Sequence, residues 1–348
     1  MKKVYSEVVQ FRGNHYDFGY MQGQMLKGSQ LFENLTKQRR GRKQRFYVEA
    51  DELKFALLPL APGIWEELIG LRDGLEWSLE RVVNFFGGYL REIEESGCSV
   101  YTGKDYFVRN YDFHPQTYEG RLVLFQPTNN NYSTIGPSQH ITGRMDGMNE
   151  KGLTIAYNFV NRKQPEPGFI PNMINRMILE TCADTSEAIS FLRQIPHLQS
   201  FNFVLLDDQG VAHVVEASPR GVKVRQANIC TNHFEMMTEE NRYHLADSIR
   251  RENAILHEEQ FVHNAYDAYR MFNDRNKGVF SEKYANSAGT IHTSAYFPQQ
   301  KMMWFALGGD RQPLQIEFNQ WVNGQDIRIK RINGMINTKE PFLHMDPL

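Results

Sequence analysis

The sequence predicts an α+β chain in which helices cover antiparallel sheets. Two observations carry that prediction. Between Gly97 and Val160, short runs rich in β-branched and aromatic residues ("CSVY", "YFVRNYDF", "RLVLFQP", "GLTIAYNFV") are split by turns such as "TGKD" and "NEKG". On either side of that block, apolar residues recur at helical spacing.

Taken in order, the start reads as helical. "YDFGYMQGQMLKGSQLFENLTK" has helical spacing, although Gly19 and Gly23 weaken it. "APGIWEELIGLRDGLEWSLERVVNFFGGYLREIEES" is a stronger helical pattern, with Pro62 near its start and Gly87-Gly88 as an interruption. The strand block follows, with "HITGRMDG" as a further β-rich piece. "PNMINRMILETCADTSEAISFLRQI" returns to helix, and Asp184 followed by Glu187 has the pattern of a capping box. "SFNFVLLDDQGVAHVVEASPRGVKVRQANICTN" is strand again, with "DDQG" and "SPRG" as turns. "EENRYHLADSIRRENAILHEEQ" is a helix with many i,i+4 charge pairs, and "GTIHTSAYFPQQKMMWFALGG" closes as a hairpin.

Composition sets limits on function. At 348 residues and 41% hydrophobic, the chain can bury a sizeable core, as one large domain or one domain with an appendage. A net charge of -2 gives no footprint for nucleic acid, and the one dense basic cluster, "KQRRGRKQR" (Lys37–Arg45), reads as a solvated helix end or loop. The first residues have no apolar core of signal-peptide length, and no run of about 18 apolar residues offers a membrane span. Three cysteines, Cys98, Cys182 and Cys230, do not make a disulfide framework, so the chain reads as cytoplasmic. No HExxH or paired Cys/His spacing points to a metal, and no GxGxxG follows a strand.

The stretch "ESGCSVYTGKDYFVRNYDFHP" carries the first candidate chemistry. If Thr102–Asp105 is the loop, Tyr101 pairs with Tyr106, and Cys98 sits opposite Arg109. A cation there favours thiolate over thiol, and Asp112 lies at the end of the same strand. A buried core cysteine beside a structural Arg–Asp pair is the plain alternative. Two more strands end in asparagine, Asn158 in "AYNF" and Asn232 in "CTNHF", where a strand-end amide can face a developing oxyanion or simply cap a turn.

As a set, these motifs resemble the N-terminal-nucleophile (Ntn) hydrolases of the linear-amide type. That group includes choloylglycine hydrolases, penicillin V acylases and, more closely, the acyl-coenzyme A:6-aminopenicillanic acid acyltransferase family. The resemblance runs from Gly97 to about Gly308. It implies an αββα sandwich, with residues 1–97 as a helical pro-segment or small chain and 98–348 as the catalytic domain. Gly97-Cys98 is similar to the family's self-processing site and nucleophile, and "VRNYDF" to the motif that supplies Arg109 and Asp112. Asn158 would lend its backbone N–H, and Asn232 its side chain, to the oxyanion hole. "NRYHLADSIRRENAIL" is similar to the region of a second active-site arginine, with Arg242 the best fit and Arg250 the alternative.

The implied activity is cleavage of a linear amide through a Cys98 thioester, cleared by water or by a second amine. The freed α-amino group would act as base, with no cofactor. The implied partner is a small-molecule amide or acyl substrate; a homo-oligomer is left open. Two rivals stand beside this reading. One is an unprocessed, idle homologue that binds an acyl ligand. The other is a papain-like cysteine protease using His114, His233 or His292.

Overall fold

The computed structural model describes residues 1–41, 47–91, 97–160, 164–242 and 245–348. Among these residues the strands form two main sheets. The larger runs in the order Gly221–Gln226, His213–Ser218, Phe201–Leu206, Thr154–Phe159, Asp146–Asn149, Thr134–Gln139, Arg121–Pro127, Lys2–Gly13, Arg331–Ile336. The smaller runs Ile229–Cys230, Ser99–Thr102, Phe107–Phe113, Ala288–Phe297, Met302–Leu307, Leu314–Ile316. Neighbours are antiparallel except Lys2–Gly13, which lies parallel to Arg121–Pro127.

Period-two alternation sorts the side chains into layers. Ile155, Tyr157 and Phe159 face a helical layer containing Ile64, Leu68, Ile174 and Met177. Ala156, on the opposite face, joins Val100, Phe107 and Tyr111 in the core between the sheets. Val108 and Ala295 turn outward against Ile255 and Phe272 of a second helical layer. The architecture is therefore helix, sheet, sheet, helix, as expected.

The helices start and stop where local chemistry dictates. Asp184 accepts the Glu187 N–H at 2.9 Å and opens helix Thr185–Gln194. The long pattern after Pro62 breaks earlier than its sequence suggests. Glu76 turns left-handed at φ 57°, and Ser78 caps a new helix, so the pattern divides into Pro62–Leu75 and Leu79–Phe86. The second of these ends at the expected Gly87. The basic run Lys37–Arg45 falls partly in residues 42–46, outside the described residues. No helix among the described residues is long and apolar enough to cross a membrane.

The first residues depart from the helical expectation. Lys2–Gly13 is a strand that buries Val4, Ser6 and Val8 on one side and lies inside the large sheet, between Arg121–Pro127 and Arg331–Ile336. Its β-branched alternation is the cause. Buried charge ties the following helices to the rest of the chain. Arg176 of helix Pro171–Thr181 pairs with Glu180 and with Glu67 of helix Pro62–Leu75, the latter at 2.7 Å. Glu180 also meets His15 of helix His15–Leu26 at 2.9 Å. Gln22 donates to Glu67 at 2.6 Å and accepts from Arg121 at 2.7 Å. Against burial, Arg176 and His15 hold the Glu180 carboxyl down to about 2.

Gly19 and Gly23, which weaken a helix in isolation, are what let helix His15–Leu26 cross helix Pro62–Leu75 closely. A Cβ on Gly19 would lie 2.0 Å from the Glu67 carbonyl oxygen, and one on Gly70 2.0 Å from that of Tyr16. Backbone atoms cannot swing away, so Gly19→Ala should destabilise the fold by about 3 kcal/mol or more. Denaturant unfolding measures this; a loss below about 1 kcal/mol would mean that the two helices separate without strain.

Candidate active site

The Ser99–Thr102 and Phe107–Phe113 strands form the expected hairpin, but with a different register. Thr102 pairs with Phe107 and Val100 with Arg109, so Cys98 falls across from Tyr111 rather than Arg109. The shift is two residues, which keeps every side chain on its face. Cys98 and Arg109 are thus diagonal neighbours, within reach of a long side chain. The Arg109 Nη2 lies 3.4 Å from the Cys98 sulfur.

Arg109 is wholly buried, and its contacts reach the other sheet. Asp146 pairs with Ala156, and the next rung would join Met145 to Tyr157. The guanidinium stands there instead, donating to the Met145 carbonyl at 2.9 Å and the Tyr157 carbonyl at 2.7 Å. Asp146 accepts from the same guanidinium at 2.5 Å. Burial opposes the Arg109 charge; Cys98 and Asp146 outweigh it and raise Arg109 above its ordinary value. Asp146 is a residue that sequence reasoning misses: it falls in the β-rich run "HITGRMDG", and nothing local marks its side chain as the partner of Arg109.

Asp112 is buried beside Gly97. The Gly97 N–H donates to the Asp112 carbonyl at 3.1 Å, and a Cβ on Gly97 would lie 3.7 Å from the Asp112 Cβ. Neither carboxylate oxygen has a hydrogen bond of ordinary geometry among the described residues. Burial pushes this carboxyl up to about 7; Arg251, the Thr290 hydroxyl and Arg109 are near enough to limit the rise. The facing strand bulges between Thr290, opposite Asp112, and His292, opposite Tyr111, a local widening common beside active sites. Gly97 is not among the residues of positive φ, so its backbone is not held in a left-handed conformation.

Asn232 has a fixed side chain. Its N–H donates to Ser248 Oγ at 2.7 Å, its Nδ2 to the Phe159 carbonyl at 2.7 Å, and its Oδ1 accepts from Arg251 Nη2 at 2.7 Å. One Nδ2 hydrogen is left without a partner among the described residues. Asn158 differs from expectation. Val160 donates its N–H to Ser200, and alternation along the ladder gives Asn158 the same role toward Asn202. Its backbone N–H is therefore engaged in the sheet. Its Nδ2 instead binds the Cys230 and Thr231 carbonyls at 3.1 and 3.2 Å, fixing the segment that carries Asn232.

The second arginine is neither Arg242 nor Arg250. Both are exposed, and Arg250 bonds Asp247 and the Gly278 carbonyl. Arg251 is the one that enters the site. It donates to the Cys98 carbonyl, Ser99 Oγ and Asn232 Oδ1, each at 2.7 Å, while Asp247 holds its Nε at 2.9 Å. The reason is helical phase: in helix Leu245–Glu258 the buried positions are Ser248, Arg251 and Ile255. That spacing is readable from Ile255 backwards. Among the histidines weighed as bases, His292 is buried and lies 3.5 Å from Asp146, while His233 meets Ser248 Oγ at 2.9 Å.

The fold and the cluster can be set beside known proteins. The profile of the acyl-coenzyme A:6-aminopenicillanic acid acyl-transferase family matches residues 100–312. The chain belongs to that family. The match begins two residues after Cys98 and includes Arg109, Asp112, Asn158, Asn232 and Arg251. Three solved structures are similar at low identity. Penicillin V acylase from Agrobacterium tumefaciens is 15% identical over 64% of this chain and 86% of its own, with a TM-score of 0.43. A single-residue variant of conjugated bile acid hydrolase from Clostridium perfringens is 13% identical over 72% and 99%, at 0.47. The Caenorhabditis elegans N-acylethanolamine-hydrolyzing acid amidase orthologue is 13% identical over 58% and 93%, at 0.38. No curated protein matches the chain.

The Asp112 environment makes a testable demand. Its folded value of about 7 exceeds that of an unfolded aspartate, about 3.9. The folded chain thus binds a proton that the unfolded chain releases, and Asp112 weakens the fold as pH rises from about 4 to about 7. In a Cys98→Ala chain, Asp112→Asn should therefore gain stability over its parent across that window. Denaturant midpoints measured against pH test this, and a constant difference would contradict it.

Proposed function

We propose that this chain cleaves linear amides, or transfers their acyl groups, with Cys98 as nucleophile. The observation that carries the reading is the convergence on one cysteine. Arg109 lies against its sulfur, Arg251 on its carbonyl, and Asp112 is buried beside the residue before it.

We further infer that Cys98 is exposed by self-cleavage. The thiol attacks the Gly97 carbonyl, the peptide nitrogen leaves as the new α-amine, and water releases Gly97 from the resulting thioester. The α-amine then serves as base, its reference value of about 7.7–8.0 suiting proton transfer near neutrality. As an ammonium it would give the Asp112 carboxylate the hydrogen-bonded partner that neither of its oxygens has among the described residues.

In turnover, the sulfur attacks the substrate carbonyl, and the free Nδ2 hydrogen of Asn232 receives the oxyanion. Arg251 holds that amide through Oδ1. Asn158 supports it through the Cys230 and Thr231 carbonyls rather than donating its own N–H. The amine departs with the proton, leaving a thioester for water or a second amine. Val160, Phe234 and Met237, which flank Phe159 and Asn232 in sequence, form a small buried apolar cluster that packs behind the Asn232 segment. Residues 1–97 stay attached after cleavage in this reading, because Lys2–Gly13 is an inner strand and Glu67 and His15 share the Arg176 network.

Intact mass of freshly purified protein should show two fragments that co-elute under native conditions, and one chain in Cys98→Ala. That variant should also lose turnover of penicillin V and of a series of N-acyl amides. A wild type that stays full length yet turns over amides would refute self-cleavage. One that stays full length and inert would favour the idle homologue.

Asn232→Ala should lower kcat by about 10²-fold or more with little change in stability. A change confined to KM would make Asn232 a binding residue instead.

A further inference from the structure

We propose that Asp146 is a positioning residue that balances the Arg109 charge, so that the Cys98 thiol sits beside a neutral pair rather than a bare cation. This rests on Cys98 being the reactive residue.

Asp146 is gripped from the opposite sheet. Arg109 Nη1 reaches its Oδ1 at 2.5 Å, while the Ser294 and Tyr296 hydroxyls donate to its Oδ2 at 2.6 and 2.7 Å. Ser294 is the direct cross-strand partner of Arg109, so two adjacent side chains of the small sheet close on one carboxylate of the large one. Burial disfavours the Asp146 charge, but Arg109 outweighs it, and His292 and Ser294 help to hold the carboxyl below its usual range. Asp146 is thus a full counter-charge at neutral pH.

Other charged or titratable groups share this space. Arg109, Tyr111 and Asp112 come from one strand and Tyr157 from another; Arg251 and Asp247 come from the helix; His292 and Tyr296 come from the bulged strand. Burial pushes His292 down and the tyrosines up, so these four carry no charge near neutrality. Asp247 is paired with Arg251. With Asp146 removed, the groups among the described residues left to answer the Arg109 charge are the Cys98 sulfur and, once ionised, Asp112.

The consequence is chemical. With its carboxylate partner gone, the guanidinium against the sulfur draws the thiol toward a tightly paired thiolate, and nucleophilicity falls as thiol basicity falls. Balancing Arg109 leaves its orienting N–H on the sulfur while keeping the sulfur basic enough to attack.

The test is a pH titration of thiolate ultraviolet absorbance in wild type and Asp146→Asn, each corrected with its own Cys98→Ala counterpart. Neutralising Asp146 should lower the Cys98 midpoint by at least about one pH unit and lower kcat about tenfold with KM nearly unchanged. A merely structural role would leave the midpoint in place, or raise it toward the free-thiol value of about 8.5; either result overturns the proposal. If Asp146→Asn does not fold, the double variant Arg109→Met, Asp146→Leu, which removes both charges, should fold; its failure to fold also overturns the proposal. The absorbance does not depend on turnover. An inert wild type would therefore count against the functional reading alone, and an unmoved midpoint in an active enzyme against this one alone.

Discussion

Everything around the candidate site depends on one guanidinium buried between two sheets. Arg109 replaces the rung between Met145 and Tyr157, so the large sheet opens where the small sheet presents its cysteine. A charge in that place is tolerated only if most of its donors are met and its charge is answered. Two backbone carbonyls, a carboxylate and a sulfur meet four of its contacts. Its Nε finds no partner among the described residues, and the four contacts that are made fix Cys98 against the opening in the large sheet.

Arg251 does on the other side what Arg109 does across the sheets. It joins two separate pieces of chain through three acceptors: the Cys98 carbonyl and Ser99 hydroxyl on one, the Asn232 amide on the other. Neither arginine can be replaced by lysine without loss of geometry, because one ammonium cannot address several acceptors in a fixed plane.

How much of this is legible in the sequence follows from the range of each interaction. The hairpin around "TGKD", the helix cap at Asp184 and the closing hairpin are local, and their residues announce them. The Cys98–Arg109 neighbourhood survives an error of register because a two-residue slip preserves the face. Arg251 escapes because motif spacing favours Arg242, whereas burial follows helical phase. Asp146 is invisible because its meaning lies in Ser294 and Tyr296, far along the chain and in another sheet. The strand Lys2–Gly13 has a local β-branched pattern, but its place inside the sheet escapes because its partners Arg121–Pro127 and Arg331–Ile336 lie far along the chain.

That strand has a bearing on how the molecule comes into being. Glu7 is paired with Arg331 on one side and Arg121 on the other. A growing polypeptide emerges from the ribosome N-terminus first, so Lys2–Gly13 appears about three hundred residues before Arg331–Ile336 and waits for it before both its edges are covered. Until then it presents open hydrogen-bonding groups, the condition that invites mispairing between nascent chains. Contacts so distant in sequence also slow the search for the native topology. The large sheet is complete only when synthesis has passed Ile336, and the structure that surrounds Cys98 is complete only with it.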